Sequence, residues 1–380
     1  MNIREFIAGV QLQQLIVLAI FLSAFLFQMG IYFFVFLKLP RYRKEKKTTD
    51  FPGITVLICA RNEESNLERF LPVILSQDYP EFEVVVVNDS STDDTEQLLM
   101  QMAAQNKQLR YTSIPENGKS RSGKKLAVTV GLKSAAYDLV VLTDADCYPV
   151  SDQWLKRMGS NFTGDVRIVL GYGGYESRKG LLNRLIRYET TFTAIQYLSY
   201  AIKGKPYMGV GRNLAYEKSL FFDNKGFAGH YHLPSGDDDL FVNQNATGSN
   251  CAVEFSIDSH TRSIPETSFR GWIKQKKRHI SAGGHYRTGS RIRLANEWIS
   301  RIFLYASFIW ICLSTPWKVP VAALFVFLLL IRLYIFKLGM RRLDEKYLLL
   351  PSLLFDPLLP LILGAIWFSS RFQKKYRLWQ

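Results

Sequence analysis

The chain has 380 residues, 48% of them hydrophobic and 21% charged, which excludes a wholly disordered tail and a collagen-like fibre. Lys and Arg number 48 against 33 Asp and Glu, and the net charge of +15 calls for an anionic partner: nucleic acid, anionic lipid or a phosphorylated substrate. The mean hydropathy of −0.01 averages apolar ends with a polar middle.

The first element is an apolar run from Leu15 to Leu37, without a charge and with Ser23 and Gln28 as its clearly polar side chains. About 20 apolar residues cross a bilayer as a helix. The run is longer than a signal-peptide core and ends in bulky Phe33, Phe34 and Phe36, so it reads as an uncleaved anchor. Lys38, Arg41, Arg43, Lys44, Lys46 and Lys47 follow it, which places this end of the helix in the cytoplasm.

Ile54–Cys59, Val84–Val87 and Leu139–Leu142 are short β-branched runs, expected as buried parallel strands. Helical patterns follow the first two, through Leu67, Phe70, Leu71 and Ile74, and from Thr95. This alternation predicts an α/β domain, with a parallel sheet and ligands bound beyond the C-terminal strand ends. Those ends carry Arg61-Asn62-Glu63, Asn88-Asp89 and Asp144-Ala145-Asp146, so acidic groups converge on one crevice. Asp144-x-Asp146 suits Mg²⁺ or Mn²⁺, which prefer carboxylate oxygens and substrate phosphates. A solvated acidic turn has the same local pattern. Lys119, Arg121, Lys124 and Lys125, interleaved with Gly118 and Gly123, are candidates for holding a diphosphate, or form a solvated loop.

Asn183–Ile202 mixes apolar, tyrosine and arginine positions, a pattern expected of a membrane-interface element. Gly209 and Gly211, in Met208-Gly-Val-Gly-Arg-Asn213, permit close backbone approach to a ligand, or a tight turn. Asp237-Asp238-Asp239 is the most acidic spot, where mutual repulsion favours one raised carboxyl suited to general-base work; metal binding is the alternative. Gln275 and Arg278 are one helical turn apart on a segment that also fits the basic face of an amphipathic helix. Arg287, Arg291 and Arg293 fit contact with anionic lipid.

Three candidate spans close the chain: Trp298–Pro316, Val319–Phe336 and Tyr347–Phe368. The loop from Lys337 to Lys346 is expected in the cytoplasm. Simple alternation then exports the C-terminus, whereas Arg371, Lys374, Lys375 and Arg377 favour the inside. A re-entrant last segment around Pro351, Pro357 and Pro360 reconciles the two. Cys59, Cys147, Cys251 and Cys312 form no C-x-x-C pair, which argues against a zinc site or disulfide framework and for a reducing compartment.

Taken in order, these segments resemble the family-two glycosyltransferases, with the GT-A nucleotide-sugar-binding fold. Val56–Glu64 is similar to the family's opening strand and loop, and Val85–Thr95 to its nucleotide-base loop, with Asn88 for the first Asp and Ser90 for Gly. Gly123–Ala127 is similar to the basic segment before the D-x-D, Gly209–Ala215 to the G-x-N-x-A segment, Ser235–Leu240 to the catalytic-base motif, and Gln275–His279 to Q-x-x-R-W. His279 stands where Trp is usual, which puts acceptor binding by that element in doubt.

The resemblance implies a membrane-bound, inverting, metal-dependent enzyme. Its donor would be a nucleoside-diphosphate sugar, foremost a UDP-linked one, and its acceptor a lipid-linked group or a polysaccharide. Asp144 and Asp146 would hold Mg²⁺ or Mn²⁺, and Asp237, or Asp238, would be the base. Arg61, Asn62, Glu63, Asp89, Lys124, Lys125, Asp144, Gly209, Gly211, Asn213, Gln275, Arg278 and His279 would bind substrates. The expected organisation is an anchor over 1–38, a cytoplasmic GT-A domain over 39–297 with halves 39–150 and 151–297, and a membrane region over 298–380. A processive polysaccharide synthase with a translocation pore, and an inactive scaffold that binds nucleotide sugar, are the alternatives. Nucleic acid is not expected, since no basic platform is interleaved with aromatics.

Overall fold

The computed structural model of the chain describes residues 12–43, 50–115, 123–233 and 235–372. Lys44, Lys46, Lys47, Gly118, Lys119, Arg121, Lys374, Lys375 and Arg377 lie outside the described residues, as does the side chain of Arg371.

The centre is a seven-stranded sheet in the order β3-β2-β1-β4-β8-β6-β9. Its strands are β1 (Ile54–Ala60), β2 (Phe82–Asp89), β3 (Leu109–Ile114), β4 (Leu139–Asp144), β6 (Ile168–Gly171), β8 (Leu214–Glu217) and β9 (Cys251–Glu254). A second sheet, β5-β10-β7, joins β5 (Cys147–Pro149), β7 (Gly173–Tyr175) and β10 (Thr261–Ser263). β1, β2, β3 and β4 run parallel, and β8 runs antiparallel to both β4 and β6.

β1 and β2 are buried at every position, as continuous β-branched runs require when helices cover both faces. Each fully buried aliphatic side chain there contributes about 1.5–3 kcal/mol relative to exposure. The helix Glu64–Leu75 covers one face with Leu67, Phe70, Leu71 and Ile74, the spacing of a single apolar stripe. Parallel register aligns the strand ends: Cys59 pairs with Val87 and with Asp144. The polar ends of β1, β2 and β4 therefore share one edge.

Four helices among the described residues are long and apolar enough to cross a membrane: Leu12–Arg41, Thr288–Ser314, Lys318–Arg342 and Leu349–Ser369. The helix Leu181–Ile202 joins them to the sheet. Its buried residues include Leu185, Arg187, Tyr188, Glu189, Phe192, Ile195, Tyr197 and Tyr200. It is thus a buried bridge, in contrast to the interface element expected. Its polar groups find partners inside the protein: Arg187 with Glu345, and Glu189 with Lys276.

The last helix does not run straight away from the sheet. Its Asp356 meets Tyr305 and Arg301, Pro360 accepts from the indole of Trp298 at 3.1 Å, and Gly364 packs on the same indole. The contacts thus run from Tyr305 and Arg301 back to Trp298, toward the start of the Thr288–Ser314 helix. That start adjoins the catalytic face, where the Arg287 amide donates to Asn243 at 2.7 Å. The turn before the last helix is also tied to the sheet, through Glu345.

Candidate active site

The strand ends open into one cavity of about 1110 Å³. Ligand pockets run to roughly 300–1000 Å³, so this one is at the large end. Asp144, at the end of β4, and Asp146, two residues on, line it with Glu63, Lys124, Asp237, Asp238 and Arg278. The cavity continues past Phe192, Ile280 and Leu294 to Trp298, Leu363 and Trp367 on two of the long apolar helices. A polar end and an apolar end are therefore parts of one space.

Lys124 is the hub of the polar end. It opens the helix Lys124–Ser134, and its Nζ lies 2.7 Å from Asp144 Oδ1 and 3.1 Å from Asp237 Oδ2. Burial alone would favour the neutral amine; Asp144 and Asp237 outweigh it and lift the lysine well above its ordinary range. Burial likewise acts to raise Asp144, but the Lys124 ammonium holds that carboxyl below its ordinary range. Asp146 has no such partner. Burial first and the Asp144 charge second push it up to about 6.

Asp144, Asp146 and Cys147 place ligand atoms within 4.8 Å of one another. The two carboxylates fit a hard divalent cation. The Cys147 sulfur does not: burial raises its pKa well above the ordinary value, and it lies 2.7 Å from Ser263 Oγ. The oxygen donors fit Mg²⁺ or Mn²⁺ and argue against zinc.

The acidic triplet divides its labour. Asp238 caps the helix Asp239–Asn245, and its two oxygens accept from the amides of Asp239 and Gly211, both at 2.7 Å. Burial, then Asp237, push it up to about 6. Asp239 accepts from Tyr286 Oη at 2.7 Å, and burial, then Asp238, push it up to about 7. Asp237 faces Lys124. A Cβ on Gly211 would lie 3.4 Å from both Asp238 Oδ2 and Lys124 Nζ, so glycine lets the backbone sit against these charges. Gly209 also lines the cavity, and a Cβ there would crowd Leu170, Leu214 and Val242 at 3.1 Å.

Across the cavity, Ser268 caps the helix Phe269–Gly283 by accepting from the Gly271 amide at 3.1 Å. That helix presents Gln275, Arg278 and His279 to the cavity, and Gln275 donates to Tyr175 Oη at 3.4 Å.

Asp89, at the end of β2, is fully buried, and neither of its carboxylate oxygens has a hydrogen-bond partner. Burial raises its pKa, against the opposing pull of Arg61. A buried acceptor of this kind costs about 1–3 kcal/mol until a donor meets it. A smaller pocket of about 270 Å³ adjoins it, lined by Asn88, Ser90, Ser91, Glu96 and Ser113. Asn62 has a left-handed backbone, φ 58°, and its Oδ1 accepts from the Thr92 amide at 2.8 Å, which ties the two loops together. Glu63 lines the main cavity; burial pushes it up to about 7.

Of the expected binding residues, Arg61, Asn62, Asp89, Lys125 and Asn213 do not line the main cavity, and the last two are held by other partners. Lys125 donates to the carbonyls of His230 at 2.5 Å and Leu233 at 3.1 Å, and burial lowers its pKa to about 8. Asn213 is fully buried; it accepts from the Trp154 indole at 3.0 Å and donates to the carbonyls of Tyr172 and Ser259. Both brace loops behind the cavity and do not line it. Arg212 was not singled out by the sequence. It lines the cavity, stacks 4.3 Å over the Tyr175 ring, and its Nη1 is buried without a partner. Its only sequence signal is a cation inside the glycine segment.

Comparison with known proteins agrees with this geometry. Residues 55–222 match the glycosyl transferase family 2 model. Over 172 residues the chain is 32% identical to poly-beta-1,6-N-acetyl-D-glucosamine synthase of Staphylococcus aureus, covering 44% of this chain and 40% of that protein. The Staphylococcus epidermidis protein of the same name is 29% identical over 130 residues, 33% of this chain and 30% of its own. The chain therefore matches less than half the length of these curated relatives. A mannosyltransferase from Pyrobaculum calidifontis, solved in complex with GDP-Man and Mn²⁺, shares the fold with a TM-score of 0.60. It is 19% identical, over 94% of this chain and 100% of its own. The shared architecture is the GT-A fold, flanked here by apolar helices.

Proposed function

We propose that this chain, whose residues 55–222 carry a family-two glycosyltransferase domain, moves a sugar with inversion from a nucleoside-diphosphate sugar to an acceptor at the membrane. The observation that carries this reading is the single cavity, which joins Asp144, Asp146, Lys124, Asp237 and Arg278 to an apolar end among the membrane helices. The donor of choice is UDP-linked, and the acceptor is a lipid-linked group or a growing polysaccharide.

Asp89 awaits a donor from the nucleotide base. Asp144 and Asp146 would hold Mg²⁺ or Mn²⁺, which would offset charge on the diphosphate. Arg212 and Arg278 line the same space and supply further positive charge to the leaving group. Asp237 takes the proton of the acceptor hydroxyl as that oxygen attacks the anomeric carbon. Asp238 is less suited to that task, because both of its oxygens already hold backbone amides. One base, with the leaving group departing from the opposite face, gives inversion, by the logic that governs sugar hydrolysis.

The catalytic domain is placed in the cytoplasm and the chain in the cell membrane as a multi-pass protein. Support comes from the basic Lys337–Lys346 stretch, whose Glu345 and Arg342 contact the catalytic domain and the post-anchor segment. The return of the last helix toward the catalytic face favours the re-entrant arrangement.

A donor screen with detergent-solubilised protein, scored for release of nucleoside diphosphate with and without Mn²⁺, tests the reading. Release from one donor class is expected; silence across a broad panel would overturn it. The extension of the cavity to Trp298 and Trp367 also favours a second reading, a processive synthase. Product length separates the two: one sugar added, or many.

A further inference from the structure

The turn between the last two membrane helices reaches back into the catalytic domain. Its Glu345 is 4% exposed although it sits in a loop. Glu345 Oε2 accepts from Arg187 Nε at 3.0 Å and Nη2 at 2.6 Å. Its Oε1 accepts from Tyr172 Oη at 2.9 Å and from the Arg262 guanidinium. Arg187 and Arg262 also donate to the carbonyls of Lys346 at 3.1 Å and Asp344 at 3.3 Å, so the whole turn is gripped from two sides.

The two arginines lead to different places. Arg187 stands on the bridging helix Leu181–Ile202 and otherwise donates to Ser177 Oγ at 2.8 Å. Arg262 is the middle residue of β10, the central strand of the small sheet. Side chains alternate along a strand, so Thr261 and Ser263 project opposite to Arg262. Thr261 Oγ1 donates to the Arg212 carbonyl at 2.9 Å. Ser263 Oγ lies 2.7 Å from Cys147 Sγ, and the Ile264 amide donates to the Asp146 carbonyl at 3.4 Å. One face of β10 thus holds the membrane turn, and its other face and its end hold Arg212 and Asp146. A Cβ on Gly174 would collide with the Arg262 guanidinium, so β7 is built to let that side chain pass.

We infer that Glu345 is a positioning residue: through Arg262 and β10 it fixes Asp146 and Arg212 for the cation and the diphosphate. This rests on the reading of the site given above. Removal of Glu345 leaves both guanidinium groups without their shared counter-charge, which relaxes β10 and the metal-side loop behind it.

The test uses the full-length protein in detergent, with Mn²⁺ alone and then UDP with Mn²⁺ as calorimetric probes, beside thermal unfolding. Glu345→Gln should weaken Mn²⁺ binding about tenfold, the low end of what outer partners of metal ligands carry. Arg262→Gln should do the same. Arg187→Gln should lower the unfolding temperature while Mn²⁺ binding stays near wild type. Unchanged Mn²⁺ binding in folded Glu345→Gln overturns the inference. So do parallel losses of stability and binding in the two arginine variants, which would make Glu345 a general fold anchor. If Glu345→Gln fails to fold, the contrast between Arg262→Gln and Arg187→Gln decides alone. Wild-type protein that binds neither Mn²⁺ nor UDP would overturn the reading of the site itself, a different failure from a wild type that binds both beside an unaffected Glu345→Gln.

Discussion

In the long apolar helices, Arg301 and Arg332 face Glu297 and Asp356; at the sheet edge, Lys124 and Arg212 face Asp144, Asp146, Asp237 and Asp238. The first group is balanced, two charges against two. Asp356 Oδ1 takes Arg301 at 3.3 Å and Tyr188 Oη at 3.3 Å, and Oδ2 takes Arg332 and Tyr305 Oη. The second group carries more carboxylates than nearby cations; each group leaves one guanidinium nitrogen unmet, Arg301 Nε and Arg212 Nη1, and two strands from Asp144 both oxygens of Asp89 are unmet as well. Burial of charge by itself does not mark a site. An excess of one charge beside a cavity does, because a ligand of the opposite charge can balance it.

The largest effect that follows is on transfer. Asp237→Asn should reduce sugar transfer by about 10²–10⁴-fold, the usual contribution of a positioned general base. Asp146→Asn should abolish metal-stimulated transfer. Neither variant should unfold early, because each removes a carboxylate from an acid-rich cluster. Transfer surviving both changes, measured by nucleoside diphosphate release, would break the contrast between the two groups.

The membrane cluster should behave in the opposite way. Asp356→Asn takes from Arg332 its carboxylate partner and leaves Arg301 with Glu297 alone, and breaking a buried pair from one side costs about 3–5 kcal/mol. Thermal unfolding in detergent reads that loss. Transfer per folded molecule should persist, and a stable but inactive Asp356→Asn would show that the cluster belongs to the site.

Much of this was legible along the chain. The strands are continuous β-branched runs, and the acidic motifs are local, so Asp144, Asp146 and Asp237 are found without any partner being known. The rest depends on distant partners. Glu345 meets residues 83 to 173 positions away and looks like one charge in a basic loop. Lys124 and Lys125 are adjacent in sequence and equivalent by composition, yet one helical step turns the first to the cavity and the second to the His230 carbonyl. The Leu181–Ile202 segment reads as an interface helix because its charges are visible and their buried partners are not.

A smaller change is expected at the base end. Asp89→Asn keeps the size of the side chain but replaces one acceptor with a donor. Loss of a hydrogen bond to a charged group is worth about 1.5–3 kcal/mol, so the donor KM should rise roughly 10- to 100-fold with kcat nearly kept. Equal loss in kcat would move Asp89 from nucleotide binding to the chemistry.

The smallest effect separates a charge kept for function from one that is only costly. Burial and Asp238 push Asp239 up to about 7, whereas a carboxyl in the unfolded chain titrates near about 4. Between those values the folded state keeps a proton that the unfolded chain has released. Stability from this group therefore falls as pH rises from about 4 to about 7, and the cost is complete above that. Asn resembles the protonated acid, with one oxygen for the Tyr286 hydroxyl or the Leu240 amide. Asp239→Asn should match wild type near pH 5 and melt a few degrees higher at pH 8. A variant that melts lower at pH 8 would show the Asp239 charge to be stabilising, and would place it with the balanced cluster in the membrane.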